Sequence, residues 1–202
     1  MDLSAPSRSL GPTVHLMVLA TLARIHEPVS GRAVGRLLAG RASDRGVAYA
    51  LAYLVDQGIV RRDDHPPVAL YRLNRDHVAA AAAVALGDIW EVLLDRCRRE
   101  ISGWAIRPVW AALFGSGARG EGASSSDLDL ALVVPDEVEA DGEAWREQVD
   151  TLRRRIRSWT GNPASIITFS NSEFALSDEP VVVAIRSEGL SLYGEPPARV
   201  AA

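Results

Sequence analysis

The chain has 202 residues, 48% of them hydrophobic and 24% charged, with a formal net charge of −4. This is ordinary globular composition with length for two small domains, which excludes a fibrous or low-complexity chain. A single cysteine, Cys97, excludes an internal disulfide, and the four histidines show no metal-ligand spacing with it or with one another. A reducing, cytoplasmic setting is expected. All 22 basic residues are arginine. Residues 1–78 carry a net +3 and residues 79–202 a net −7, so nucleic-acid contact is expected only in the first part.

Residues 1–12 read as disordered. Leu16 to Ala23 is apolar, but eight residues are too few to span a bilayer, and no membrane association is expected. From Thr13 to Arg24, Leu16, Leu19, Ala20 and Ala23 recur at helical spacing. Ser30 caps a second helix running to Leu38, and Ser43 or Asp44 caps a third running to about Gln57, with Val47, Leu51 and Leu54 facing inward. Ile59 to Arg62 and Val68 to Leu73 then read as two short strands.

Over residues 13–75 this is the element order of a winged helix-turn-helix. The run Tyr53-Leu-Val-Asp-Gln-Gly-Ile-Val-Arg-Arg62 resembles the recognition-helix-to-wing passage of bacterial winged-helix regulators such as the MarR and ArsR families. The resemblance implies double-stranded DNA as a partner, with the third helix in the major groove. Arg41, Arg45, Tyr49, Arg61 and Arg62 are the candidate DNA-binding residues. Asp44, Asp63 and Asp64 offset them, so binding should be modest and salt-sensitive. The bland alternative is a module for dimerisation or docking.

A long linker helix is expected over 76–103, with Leu86, Ile89, Leu93, Cys97 and Ile101 as its apolar stripe. It connects the domains or pairs between the subunits of a homodimer. On that stripe, Cys97 reads as a buried structural thiol.

The remaining chain, 104–202, carries the chemistry. Val109 to Phe114 reads as a strand, and Gly115-Ser-Gly-Ala-Arg-Gly120 as a phosphate-sized loop. A second strand opens with Asp127 and Asp129. Residues two apart on a strand share a face, so these carboxylates point together, while Leu128, Leu130, Leu132 and Val134 fill the other face. Paired carboxylates beside such a loop suit Mg²⁺, which takes one or two carboxylates plus substrate phosphates. The loop also fits G-x-G-x-x-G, but Gly120 to Ser126 leaves no room for the helix that a dinucleotide site needs. Glu143 to Thr160 follows as an amphipathic helix, and Ala164 to Phe169 as a third strand.

Gly115-Ser116, Arg119-Gly120 and Ser126-Asp127-Leu-Asp129-Leu resemble the signature of minimal nucleotidyltransferases, the superfamily that includes DNA polymerase beta. Glu188 to Gly194 is similar to the terminal strand common in these domains. The fold class expected is therefore α/β (α+β): a winged helix-turn-helix, a linker helix, and a small mixed sheet flanked by helices. The resemblance implies a nucleoside triphosphate substrate, Mg²⁺ as cofactor, catalytic and metal-holding roles for Asp127 and Asp129, and nucleotide contacts from Gly115, Ser116, Arg119 and Ser126.

One departure stands out. The third strand has no carboxylate where the family usually holds a third acid; Ser165 or Thr168 occupies that neighbourhood, with Glu173 and Glu121 as substitutes. Two functions compete as a result. One is Mg²⁺-dependent transfer of a nucleoside monophosphate to an acceptor hydroxyl, coupled to a DNA-binding winged helix. The other is a DNA-binding regulator or antitoxin-like protein whose nucleotidyltransferase domain binds nucleotide or a partner without turnover.

Overall fold

The computed structural model describes residues 1–11 and 13–199, which divide into two units. One comprises Ala5–Glu91; the other comprises Met1–Ser4 with the chain from Val92 onward. The expected disorder over 1–12 gives way to a 3₁₀ helix at Pro6–Leu10 and a buried Leu3; Pro12 lies outside the described residues.

The first unit follows its sequence pattern closely. Helix α1 (Val14–Ala23) is capped by Thr13, strand β1 is Val29–Ser30, and α2 (Gly31–Leu37) begins where the Ser30 hydroxyl accepts from the Ala33 amide at 3.2 Å. Ser43 does the same for α3 (Asp44–Asp56), accepting from Gly46 at 3.1 Å. Strands β2 (Val60–His65) and β3 (Val68–Leu73) form an antiparallel hairpin, and the short β1 joins its far edge in the order β1-β3-β2. Val18, Leu22, Val34, Val47, Ala50, Leu51 and Leu73 meet in the core between helices and sheet.

The single helix expected over 76–103 is two: α4 (Ala80–Gly87) and α5 (Ile89–Ser102). Gly87 explains the break. A Cβ there would stand 3.1 Å from the Ala20 carbonyl and 3.3 Å from the Ala23 Cβ, so α4 ends in close approach to α1. Asp88 then leaves helical geometry (ψ 2°) before α5 starts. By these contacts α4 packs into the first unit rather than forming a linker.

The second unit is built on a four-stranded sheet of order β6-β5-β4-β7. Strand β4 is Trp110–Phe114, β5 is Leu128–Val134, β6 is Ala164–Ser170 and β7 is Leu190–Gly194. Only β5 and β6 run parallel, joined by α7 (Glu143–Thr160), whose bounds match the sequence pattern. Gly161 closes α7 in the left-handed conformation at φ 78°.

The sheet is covered on both faces. Leu93, Leu94, Cys97 and Ile101 of α5 are buried, as are Trp145, Val149, Leu152 and Ile156 of α7. Trp104 and Trp145 meet edge to face with centroids 5.3 Å apart. Burial pushes the Cys97 thiol up to about 12, so it is inert, as its place on the stripe suggested. The other face carries Trp110, Ala112, Ala131 and Val133, packed under Phe174, Val182 and Ile185. Those last three sit on α8 (Asn171–Leu176) and α9 (Pro180–Glu188), two helices that the sequence pattern did not reveal. Among the described residues no helix is long and apolar enough to cross a membrane.

Candidate active site

Strand β4 ends at Phe114 and turns at once into one helical turn, α6 (Gly115–Ala118). Gly115 makes this possible. Its φ of 68° lies in the left-handed region, and a Cβ there would stand 2.6 Å from Asp129 Oδ2. No other residue lets the turn and the carboxylate coexist undisturbed. Across the ladder Phe114 pairs with Asp129, which fixes that carboxylate beside the turn.

Asp129 is half-buried on β5, and Asp127 is exposed one residue before the strand begins. Alternation puts Asp129 on the face of Ala131 and Val133, whereas Leu128, Leu130 and Leu132 point into the opposite layer. Burial, then the charge of Asp127, hold the Asp129 carboxyl above its ordinary range; Arg119 opposes them. Two mutually repelling carboxylates, one partly desolvated, fit a hard divalent cation as the group that relieves both. Two carboxylates are an incomplete cage, however. Among the described residues no group of three or more His, Cys, Asp or Glu could hold a metal.

Register decides which of Ser165 and Thr168 shares the face of Asp129. Ser165 pairs with Asp129 across the parallel β5–β6 ladder, so the two side chains share a face. Thr168 lies on the other face, where its hydroxyl accepts from Trp145 Nε1 at 3.2 Å. The two substitutes have other duties. Glu173 completes a capping box on α8, accepting from the Ser170 amide at 2.8 Å. Glu121 holds Arg119 Nε at 2.9 Å.

Arg119, the expected phosphate contact, is engaged with two carboxylates. Its Nη1 donates to both oxygens of Glu188, at 2.8 and 2.9 Å, while Nε donates to Glu121. These hydrogen bonds, Glu121's first, raise its pKa further. Ser126 is also engaged, its hydroxyl accepting from the Ala123 amide at 2.9 Å to fold its own loop. Ser116 is half-buried in α6, and its carbonyl accepts from Glu121 at 2.9 Å.

Two residues that sequence reasoning missed organise this region. Asn162, fully buried, donates to the carbonyls of Ser124 and Ser126 at 3.1 and 2.9 Å, anchoring the loop that delivers Asp127. Its position after a helix-ending glycine was the only signal. Glu188, at the end of α9, lies 69 positions from Arg119, beyond any local pattern.

In the first unit, the candidate DNA contacts do not form a free basic face. Arg61 pairs with Asp76 at 2.7 Å and Arg62 with Asp64 at 2.8 Å. Arg41 reaches the Leu38 carbonyl at 3.4 Å. Arg45 is exposed on α3, and Tyr49 is 68% exposed, its ring 5.7 Å from that of His15.

With this geometry in view, residues 94–183 match the model of the nucleotidyltransferase domain family. The matched stretch runs from α5 into α9 and contains the Gly115 turn, both aspartates and Ser165. No curated protein matches the chain.

Proposed function

We propose that the second unit transfers a nucleoside monophosphate from a nucleoside triphosphate to an acceptor hydroxyl. The observation that carries this reading is the Gly115 turn seated against Asp129, beside Asp127, inside the stretch that matches nucleotidyltransferases. Asp127 and Asp129 would hold a divalent cation, Mg²⁺ by the hardness of its oxygen donors, and when bound it would neutralise triphosphate charge and polarise the α-phosphate. Gly115 lets backbone approach a phosphate, and the Ser116 hydroxyl can donate to one. Arg119 reaches phosphate by exchanging the Glu188 carboxylate for it, one anion for another on the same guanidinium fork. The acceptor oxygen then bonds to the α-phosphorus as the bond to the β-phosphate oxygen breaks and pyrophosphate leaves; the acceptor proton passes to water.

A second reading, nucleotide binding without turnover, has one specific support: Ser165, which pairs with Asp129 across the ladder, brings a hydroxyl and no anionic oxygen to that face. Incubation of the full chain with each labelled nucleoside triphosphate and Mg²⁺ separates the two. Pyrophosphate release supports transfer; cation-dependent binding with no release supports the sensor. Absence of cation-dependent binding overturns both.

The third position offers a sharper test. Ser165→Asp adds an anionic oxygen on the face of Asp129, and pyrophosphate release should rise about tenfold or more through a second cation. Thr168→Asp instead drives a charge towards Trp145 and should destabilise the fold by about 1–3 kcal/mol without raising turnover. Rate assays and thermal melts of both variants check this pair.

By its element order the first unit is read as a winged helix. Its role as a reader of duplex DNA has weaker support, because Arg61 and Arg62 are paired to aspartates and α3 carries one exposed arginine, Arg45, next to Asp44, with Asp56 at the helix's far end.

A further inference from the structure

We infer that the exposed face of α3 is a self-association surface, on which a second copy of this chain docks its own α3 antiparallel about a two-fold axis. The inference is independent of the nucleotide site. Along α3 the exposed residues are Asp44, Arg45, Ala48, Ala52, Asp56 and two tyrosines, Tyr49 at 68% and Tyr53 at 49% exposed. Positions 45, 48, 49, 52, 53 and 56 follow the i, i+3, i+4 rhythm of one helical face, opposite the buried Val47, Ala50, Leu51 and Leu54. Most of that face is apolar, and its tyrosines are propped from behind. His15 of α1 meets both rings edge to face, with centroids 5.7 and 5.0 Å away.

The occupant is specified by the charges. A two-fold axis between residues 50 and 51 sets each residue level with the one equally far from the other end. Arg45 then stands level with Asp56 of the second copy, and Asp56 with its Arg45, two ion pairs from one surface. This is the self-complementarity that an isologous contact requires. Ala48 and Ala52 line one side and let the two backbones come close. Tyr49 and Tyr53 line the other side, where Tyr53 lies beside Tyr49 of the second copy.

Within the chain Asp56 accepts from the side-chain amide of Gln57 at 3.2 Å, a neutral donor that leaves its charge uncompensated. An arginine in the first turn and an aspartate in the last both oppose the helix dipole, and no basic residue occupies the last turn. Against an antiparallel partner both charges become favourable, and so do the two dipoles. A contact of one helix from each subunit lies at the small end of the interface scale, so the dimer should be weak and concentration-dependent.

The test is sedimentation velocity on the full chain across the micromolar range, with Arg45→Asp, Asp56→Arg and the double variant. Both single changes suit the helix dipole, so each variant should melt no lower than the parent. Each single variant alone should be monomeric, because like charges face each other. An equimolar mixture of the two should dimerise, and so should the double variant, because opposite charges are restored. A parent chain that stays monomeric throughout, or single variants that dimerise as the parent does, overturns the inference. So does a parent that binds a 20-base-pair duplex through this helix, with binding lost in Arg45→Asp, kept in Asp56→Arg and not restored in the double variant.

Discussion

Replacing Asp127 and Asp129 together by Asn should abolish cation-dependent binding of nucleoside triphosphate while leaving the fold intact or more stable. The substitution keeps the shape of both side chains and removes the charge that would hold the cation. Turnover, where the parent shows it, should fall at least a hundredfold, the usual scale for losing an electrostatic stabiliser of the transition state. Stability should move the other way. Burial and Asp127 raise the Asp129 pKa, so the folded state holds that proton more tightly than the unfolded chain does. The resulting destabilisation is absent in acid, grows as the pH rises through the raised pKa, and is complete at neutral pH. The double variant should therefore melt above the parent at neutral pH, with the gap closing as the pH falls into the carboxylate range.

Saturating Mg²⁺ and triphosphate should reverse that order. Ligand at a hundred times its dissociation constant adds about 2.7 kcal/mol to a protein that binds it, and nothing to one that does not. Thermal melts with and without ligand, backed by calorimetry, make the check. Unaltered affinity in the double variant would remove these aspartates from the site.

The legible part of this chain is the part written in local pattern. Alternating apolar residues gave β5, with Asp129 on it and Asp127 one residue before its start, and the spacing of Trp145, Val149, Leu152 and Ile156 gave α7 to the residue. What stayed hidden depends on contacts between distant positions. Gly87 looks like any residue of an alanine-rich helix until α1 comes within 3.1 Å of its missing side chain. Leu3 sits in a segment of polar and small residues, yet it is buried, and a Cβ on Gly122 would stand 2.9 Å from it. Arg119 reads as a free cation until α9 brings Glu188 to it. Alternation could say that Ser165 and Thr168 face opposite ways; only the pairing of β6 with β5 says which of them joins Asp129.

The glycines of the α6 turn allow strain and crowding to be told apart. Gly115 and Gly120 have nearly the same left-handed backbone, at φ 68° and 69°. A Cβ on Gly120 meets nothing within 4 Å, whereas one on Gly115 stands 2.6 Å from the Asp129 carboxylate. Gly120→Ala should therefore lose only the price of the left-handed conformation, about 1–2 kcal/mol, with affinity for triphosphate near that of the parent. Gly115→Ala carries the same strain and must also displace Asp129 or open the turn. A misplacement on the order of 1 Å at such a group lowers turnover about a hundredfold. Cation-dependent binding should weaken with it, since the displaced oxygen is one of the proposed ligands. Adding Asp129→Asn to Gly115→Ala should cause little further loss, because both changes strike the same carboxylate. Calorimetry and melts of the two alanine variants decide the matter. If Gly115→Ala and Gly120→Ala behave alike in both, the contact between the turn and Asp129 does not set the cation site.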